Sequence, residues 1–165
     1  MTGFRAIRIL PWISGLLLMS CAALRPVDRD LNRHSARVDQ HRVAMVNHAR
    51  SYIGTPYRYG GRTQKGFDCS GLVYRVFQDH DVLIPRSARE QSTQGRKVNT
   101  HQARAADLAF FSVRNKVDHV ALVTKANQRE LWVIHSTTSM GVVHEEVLGS
   151  PYWSKRLRQV RDVLN

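Results

Sequence analysis

The hydrophobic pattern of this 165-residue chain changes its period about half-way along the sequence. In the first half, apolar residues recur at helical spacing. From Leu108 onwards, apolar and polar residues alternate, as they do in strands with one buried face. Helices first and antiparallel strands later predict an α+β fold. A chain of this length forms one compact domain rather than two well-filled cores.

Two helices are predicted in the first half. One runs from about Asp39 to Ile53, with Val43 and Val46 on its apolar face, and ends at Gly54-Thr55-Pro56. The other begins at Cys69, because apolar residues follow at the helical positions Leu72, Val73, Val76 and Phe77. Cys69 is therefore expected on the buried face of an amphipathic helix, in its first turn.

The second half predicts strands joined by short polar turns. The segments are Leu108 to Val113, His119 to Thr124 and Leu131 to Ser136, with a weaker candidate at Val142 to Val147. The end of the chain, from Tyr152 to Leu164, fits a strand and a helix equally well.

The first twenty residues have the composition of an export signal. Arg5 and Arg8 precede an apolar run from Ile9 to Met19, which is too short for a bilayer core that needs about 20 apolar residues. The run ends in Leu18-Met19-Ser20-Cys21, which resembles the lipobox of bacterial lipoproteins. We predict a lipoprotein signal peptide at 1–20 and lipidation of Cys21. An ordinary secretory signal and a permanent membrane span are the alternatives.

Residues 21–40 are polar and are predicted to form a lipidated tether. Arginines recur in this segment every four residues and would share one face of a helix, but a solvated linker is the favoured interpretation. Ala22 follows Cys21 at the position where inner-membrane retention usually uses Asp. The resemblance to acylated lipoproteins therefore implies an outer-membrane protein that faces the periplasm.

The chain is strongly basic, with a formal charge of +12. The export signal directs it to a compartment where peptidoglycan carboxylates and lipid phosphates are the abundant anions. The sequence contains no nucleic-acid-binding motif. Wall and membrane, and not nucleic acid, are the expected partners.

Cys69 has no disulfide partner once Cys21 is assigned to lipid. The thiolate is the form that attacks a carbonyl, and the free N–H groups and dipole at the start of a helix favour an anion. A nearby imidazolium would lower the thiol pKa further below its usual value of about 8.5. Cys69 is therefore a candidate nucleophile, with an inert buried thiol as the alternative.

His119 and His135 are the candidate partners of this thiol, because each lies in an apolar strand where a polar residue is unexpected. If a hairpin joins the two strands, the rings lie side by side. His119 would then pair with the thiol, and His135 would hold the ring of His119 in position. A half-buried structural histidine is the alternative for each of them.

The chain resembles the NlpC/P60 family of cell-wall peptidases over nearly all of residues 41 to 164. Its motifs stand in family order: Gly54-Thr55-Pro56-Tyr57-Arg58-Tyr59-Gly60-Gly61, Phe67-Asp68-Cys69-Ser70-Gly71-Leu72-Val73, Ile84-Pro85-Arg86-Ser87, Asp107-Leu108-Ala109-Phe110-Phe111 and His119-Val120. Pro151-Tyr152-Trp153 followed by Lys155-Arg156 is also similar to the single-domain murein endopeptidase lipoproteins of Gram-negative bacteria. The resemblance implies a papain-like catalytic domain at 41–165, whose nucleophile opens a helix packed on an antiparallel sheet.

The resemblance makes Cys69 the nucleophile, His119 the base and His135 the orienting residue. Tyr57 joins them, because its hydroxyl would hold the oxyanion together with the backbone N–H of Cys69. Four further residues match substrate-binding positions: Asp68, Ser70, Arg86 and Ser87. On the residues alone, Asp68 is equally a helix cap and Arg86 a surface ion-pair partner. No metal and no cofactor is implied.

Three positions depart from the family pattern. Ala106 and Ala121 stand where glycine is usual, and Asp81 stands where a helix-ending glycine is common. Asp tolerates a left-handed helix cap better than most residues do. Ala121 is expected to narrow the pocket wall beside His119.

The resemblance implies a monomeric thiol peptidase that acts on peptidoglycan stem peptides. We favour the D-alanyl to diaminopimelate cross-link as the bond that is cut, with the D-glutamyl to diaminopimelate bond of the stem as the alternative. An acyl transferase would use the same trio, and a non-catalytic wall-binding lipoprotein would normally have lost Cys69 or His119. A zinc enzyme would draw on Cys69, His101, His119, His135 and His144, which lack a compact metal-binding spacing.

Overall fold

An antiparallel sheet forms the centre of the computed structural model, which describes residues 26–113 and 116–164. Its strands are Arg96–Val98 (β3), Leu108–Val113 (β4), Lys116–Ala126 (β5), Leu131–Thr137 (β6), Gly141–Glu146 (β7) and Leu157–Asp162 (β8). They lie in the order β3-β8-β4-β5-β6-β7. A separate ribbon pairs Arg62–Thr63 (β1) with Gly66–Phe67 (β2).

Within the described residues, three α-helices accompany the sheet: Pro26–Arg50 (α1), Cys69–Gln78 (α2) and Ala88–Gln91 (α3), with a 3-10 turn at Thr100–Gln102. The apolar faces of α1 and α2 pack on one side of the sheet, where Leu108, Val120 and Ile134 belong to the same core cluster. A second apolar cluster covers the opposite side, and Trp153 packs against it. The predicted α+β fold is confirmed.

The strand predictions agree closely with the structure. β4 has the predicted bounds, β5 and β6 contain their predicted segments, and β7 lies one residue earlier than predicted. The ambiguous end of the chain contains the strand β8, which lies between β3 and β4. Alternating residues of these strands supply both apolar clusters, because successive side chains point to opposite faces of a sheet.

The first helix differs from its prediction in both length and phase. It begins at Pro26 rather than near Asp39, so much of the segment interpreted as a solvated linker is helical. Its side chains from 31 to 41 are exposed except for a half-buried Val38, so this part lies outside the core. The predicted apolar face is confirmed only in part: Val46 is buried in the core, but Val43 is 52% exposed while Arg42 is buried.

Arg42 sets the phase of α1 through ion pairs. Its Nη1 donates to Asp107 at 2.7 Å and to the carbonyl oxygen of Ala105 at 2.9 Å, and its Nη2 pairs with Asp162 on β8. We call Arg42, Asp107 and Asp162 the Arg42 cluster. It connects the helix to residues 65 and 120 positions away in the chain. An unpaired buried charge is costly, so this pairing outweighs the preference of arginine for solvent.

Two of the departures from the family pattern have left-handed backbones. Asp81 has a φ of 58°, and the N–H of Val82 donates to the carbonyl oxygen of Phe77 at 3.0 Å to close the end of α2. Ala106 has a φ of 64° immediately before Asp107. A residue with a Cβ pays about 1–2 kcal/mol in this conformation, which explains why glycine is usual at both positions.

Within residues 26–113 and 116–164, no helix has both the length and the apolar character needed to cross a bilayer. The predicted signal peptide and Cys21 lie outside the described residues.

Candidate active site

Helix α2 begins at Cys69, as the apolar spacing predicts. Its N-cap is Asp68, whose Oδ1 accepts a hydrogen bond from the backbone N–H of Gly71 at 2.6 Å. Gly71 is required because a Cβ at this position would collide with the carbonyl oxygen of Gly61. The glycine-rich loop therefore packs directly on the first turn of the helix, which fixes the position of Cys69.

Asp68 is also the centre of an ion-pair network. Arg86 donates to both of its oxygens, at 3.0 Å to Oδ1 and 2.8 Å to Oδ2, and the N–H of Gly60 donates at 2.9 Å. Arg86 also donates to the Ser70 hydroxyl at 2.9 Å. The hydrogen bond to Asp68 raises the pKa of the Arg86 guanidinium. The structure thus brings Asp68, Ser70 and Arg86 together, with Asp68 as the cap and Arg86 as its ion-pair partner.

The Cys69 thiol lies against the backbone of β5 on both sides of His119. Its Sγ is 3.9 Å from the carbonyl oxygen of Asp118, and the backbone N–H of Val120 is directed at it. Burial raises the pKa of the Cys69 thiol, and the charge of Asp68 raises it further, against the opposing effect of backbone N–H groups. The expected lowering of the thiol pKa is therefore wrong for the protein without substrate. The effect of desolvation on the thiol pKa is larger than the opposite effect of the helix N-terminus.

His119 on β5 and His135 on β6 lie side by side, as the shared strand faces predict. His119 Nε2 is 2.8 Å from His135 Nδ1, and the ring centroids are 5.0 Å apart in an edge-on arrangement. Burial, followed by the neighbouring His135, lowers the pKa of His119 to about 3. The His119 ring is therefore neutral at pH 7 and can accept a proton from the thiol.

Two residues to which sequence reasoning gave no role complete this arrangement. Glu145 on β7 places Oε1 2.6 Å from His135 Nε2, and the indole N–H of Trp153 donates to the same oxygen at 3.1 Å. The Trp153 ring also stacks on His119, with centroids 4.8 Å apart and planes 25° from parallel. The contact with His135 lowers the pKa of Glu145. We call His119, His135 and Glu145 the histidine row.

The sequence contains a signal for Glu145 that depends on strand register. In the hairpin of β6 and β7, Val133 pairs with Glu145 and His135 pairs with Val143, so Glu145 lies on the face of His135.

On the same face of the sheet, Ala121 is fully buried in the second apolar cluster. It does not line the cleft, so the expectation that it narrows the pocket wall was wrong.

A cleft of about 520 Å³ opens over Cys69 and His119. Phe111, Tyr152 and Trp153 supply aromatic surface, and hydroxyl side chains line the remainder, namely Ser136, Thr137, Thr138, Ser139 and Ser150. Tyr57 also lines this cleft. Burial raises the pKa of Tyr57, and negative charge on Cys69 and Asp68 adds to the effect. The phenol of Tyr57 therefore stays protonated and able to donate beside the thiol.

A second cavity of about 520 Å³ lies on another side of Cys69. Its lining includes Tyr57 and all four predicted substrate-binding residues, Asp68, Ser70, Arg86 and Ser87. Ser87 has a structural role as well: it caps α3, where its hydroxyl accepts from the N–H of Glu90 at 3.3 Å and donates to the carboxylate of Glu90 at 2.6 Å. Sequence reasoning thus found residues of one continuous region around the thiol.

Over the described ranges 26–113 and 116–164, no group of three or more His, Cys, Asp or Glu side chains is arranged to hold a metal ion. The ring of His101 is 3.1 Å from the carbonyl oxygen of Asn127, and that of His144 is 2.9 Å from the Thr124 hydroxyl. The structure does not bring the five residues of the zinc hypothesis together.

Comparison with known proteins identifies relatives of this site. The chain matches the NlpC/P60 family over residues 54–162. The murein DD-endopeptidase and murein LD-carboxypeptidase MepS of Escherichia coli K12 is 39% identical over 113 residues, which are 68% of this chain and 57% of that protein. A probable endopeptidase of Haemophilus influenzae is 31% identical over 156 residues, covering 91% of this chain and 93% of the relative.

A crystal structure of an NlpC/P60 family protein from Bacillus cereus superimposes with a TM-score of 0.65 at 28% identity, over 73% of this chain and 39% of that one. The chain thus spans little more than half the length of the E. coli relative and nearly all of the H. influenzae one. The matched segment contains Cys69 at the start of α2, the strands β5 and β6 that carry His119 and His135, and β8. This α+β chain belongs to the NlpC/P60 family and has its fold.

Proposed function

We propose that this protein is a cysteine endopeptidase that hydrolyses peptide bonds of peptidoglycan. The observation that carries the proposal is that Cys69, at the start of α2, and His119, paired with His135, line one cleft. A nucleophile, a base and a group that orients the base are the parts that covalent peptide hydrolysis requires. The E. coli relative, a murein DD-endopeptidase, supports peptidoglycan as the substrate.

In the proposed reaction, the neutral His119 ring takes the thiol proton as Sγ attacks the carbonyl carbon of the scissile bond. The oxyanion accepts hydrogen bonds from the backbone N–H of Cys69 and the hydroxyl of Tyr57. His119 then gives the proton to the leaving amine as the C–N bond breaks, which leaves a thioester on Cys69. A water molecule that loses a proton to His119 attacks the thioester, and the proton returns to sulfur as the acid leaves.

The pKa values of the two groups decide where the proton lies at rest. Burial raises the pKa of the Cys69 thiol and lowers that of His119 to about 3, so the proton is on sulfur before substrate arrives. The proposed reaction therefore starts from a neutral thiol and a neutral imidazole. The charge that forms on the imidazole during attack is stabilised by groups that already lie within the site.

Stem peptides are polar, and the cavity formed by Asp68, Ser70, Arg86 and Ser87 offers charges and hydroxyls for them. We propose the D-alanyl to diaminopimelate cross-link as the bond that is cut, in agreement with the DD-endopeptidase name of the E. coli relative. The D-glutamyl to diaminopimelate bond of the stem is the second candidate. The protein is proposed to act as a monomer without a cofactor.

Digestion of purified sacculi tests the function, with the released muropeptides identified by mass. Cutting the cross-link converts dimeric muropeptides into monomers with intact stems, whereas cutting after D-glutamate shortens the stems. An acyl transferase would instead give products joined to an added amine. Cys69→Ala should release none of these products. Equal release by Cys69→Ala would contradict the peptidase and leave a wall-binding lipoprotein.

The lipid anchor is a separate proposal, supported by Arg5, Arg8 and the lipobox-like run that ends at Cys21. We expect an outer-membrane protein that faces the periplasm. Cys21→Ser should move it from the membrane fraction to the soluble periplasm and remove the lipid mass from the N-terminal peptide. Cys69→Ser is the matched control and should stay with the membrane. Unchanged fractionation of Cys21→Ser would contradict the proposal.

A further inference from the structure

We propose that Glu145 is a positioning residue of this active site, which determines through His135 which nitrogen of His119 is free to take the thiol proton. The inference rests on the proposed peptidase function and deepens it. It starts from the hydrogen bonds of the histidine row, in which His119 Nε2 meets His135 Nδ1 at 2.8 Å and His135 Nε2 meets Glu145 Oε1 at 2.6 Å.

The position of each proton follows from the chemistry of the carboxylate. The contact with His135 lowers the pKa of Glu145, so this side chain is ionised at neutral pH and can only accept hydrogen bonds. His135 must therefore carry its proton on Nε2, and in the neutral ring Nδ1 has the lone pair. This lone pair accepts from His119 Nε2, which consequently carries the proton of that ring. Nδ1 of His119 is left with a lone pair for the thiol.

Without a carboxylate, the same two rings have a second arrangement of equal connectivity. His135 would carry its proton on Nδ1 and donate it to His119 Nε2, and the proton of His119 would then lie on Nδ1. In that form the nitrogen that should take the thiol proton is already protonated. A negative charge beside His135 Nε2 excludes this arrangement, because the carboxylate accepts a hydrogen bond from a protonated Nε2 and repels a lone pair at that atom. It also stabilises the positive charge that the two rings share after proton transfer.

Trp153 keeps the carboxylate in this position. Its indole N–H donates to the same Oε1 at 3.1 Å, while its ring stacks on His119. His135 is fully buried, whereas the side chain of Glu145 is 28% exposed, so the carboxylate stands between the buried ring and the open cleft. The hydrogen bond from Trp153 opposes rotation of Glu145 into the cleft. Hydrogen bonds from His135 and from Trp153, which lie in separate segments, therefore hold the Glu145 carboxylate in place.

Glu145→Gln tests the inference because it keeps the size of the side chain, removes the charge and adds an N–H donor. We expect kcat on sacculi or a cross-linked muropeptide to fall about 10- to 100-fold, by analogy with the loss found when the groups that orient metal-binding histidines are removed. KM should change little, since Glu145 acts through His135. Glu130→Gln is the matched control: it removes a carboxylate that pairs with Lys125 on the surface, and kcat should not change.

Nitrogen-15 NMR of the imidazole rings supplies a readout that a merely structural role would not alter. At pH 7, the parent protein should show protonated Nε2 in both His119 and His135, and Glu145→Gln should gain the form protonated on Nδ1. A parent His135 protonated on Nδ1 overturns the inference even if the variant fails to fold. Unchanged tautomers together with unchanged kcat in a folded Glu145→Gln overturn it as well.

The two readouts separate this inference from the proposed function. The tautomers are measured without substrate, so a parent protein that cuts no peptidoglycan would contradict the peptidase while leaving the proton positions open to confirmation. Equal hydrolysis by the parent and Glu145→Gln would instead refute the role of Glu145 and leave the peptidase intact.

Discussion

The Arg42 cluster and the histidine row are both polar groups that pack against the same sheet, yet they are built in opposite ways. In the Arg42 cluster, the guanidinium and its two carboxylate partners are each 1% exposed, and Asp162 pairs with Arg96 and Arg104 as well. In the histidine row, two rings share one carboxylate, and the row ends at the open cleft. The first group is therefore built from paired ions, and the second from hydrogen-bonded rings that end at a cleft.

The difference shows how burial separates structure from chemistry. A buried ion must be paired, and the pairing then joins the segments that carry the partners. A buried histidine avoids that cost by staying neutral, as the lowered pKa of His119 indicates. A neutral ring can still accept the thiol proton when the sulfur attacks a bound substrate. The comparison predicts that changes in the Arg42 cluster affect stability, and changes around the row affect rate.

The largest expected effect is on catalysis. His119→Ala should lower kcat/KM on muropeptides by about 10²- to 10⁴-fold, because the thiol loses its proton acceptor and the leaving amine its donor. His135→Ala should cost less, because the base remains and is only misoriented. Urea unfolding should show that both variants are folded. Retention of most of the activity by His119→Ala would break the comparison at once.

Next in size is the stability of the Arg42 cluster. Arg42→Met should reduce the free energy of unfolding by about 3 kcal/mol, because it removes the guanidinium that pairs with the buried Asp107 and one of the three arginines that pair with Asp162. Hydrolysis per folded molecule should not change. Arg37→Met, at an exposed position on the same helix, is the control and should stay within about 0.5 kcal/mol of the parent in urea unfolding. Equal stability of the two variants would show that the cluster does not hold α1.

Tyr57→Phe sharpens the comparison inside the cleft. Loss of a hydroxyl that donates to the oxyanion should lower kcat by about 10²-fold and leave KM nearly unchanged. Tyr74→Phe on α2 removes an equivalent hydroxyl that lies outside both cavities, and it should leave kcat and KM unchanged. Steady-state kinetics with a defined muropeptide measures both. A rise in KM at constant kcat would assign Tyr57 to ground-state binding instead.

The smallest effect is a displaced pH dependence. In a Cys21→Ser background, the rate of alkylation of Cys69 by iodoacetamide should rise with a midpoint above that of a free thiol, because the thiolate reacts and burial raises the pKa of Cys69. The same sign applies to stability, since the protonated thiol favours the folded state and this contribution is lost as the pH rises through the raised pKa. The urea-unfolded protein supplies the reference. A midpoint below that reference would indicate an imidazolium beside the thiol.

The features that the sequence predicted are those that depend on local periodicity. The change from helical spacing to alternation located α2 and the strands β4 to β7, and the shared strand faces brought His119 next to His135. The buried face of α1 was predictable only in part, since Val46 is buried as expected but Arg42 takes the place expected for Val43. It depends on Arg42 meeting Asp107 and Asp162, far along the chain, and an arginine in a helix ordinarily indicates the exposed face.

The pKa values and hydrogen bonds of the site were harder to predict than the identity of its residues. The start of a helix suggests a lowered thiol pKa, but the opposing desolvation of Cys69 depends on packing against β5, which appears only in three dimensions. Glu145 lay in a predicted strand segment, and its relation to His135 required the register of the β6 and β7 hairpin. A shift of one residue would have turned its side chain to the opposite face of the sheet.

The early start of α1 has a consequence for how far the cleft can travel. Residues 26–40 span about 22 Å as a helix, whereas the same length of extended chain reaches about 50 Å. If Cys21 is anchored as proposed, this helical segment gives the cleft less than half the reach of an extended tether of the same length, and a stiffer connection.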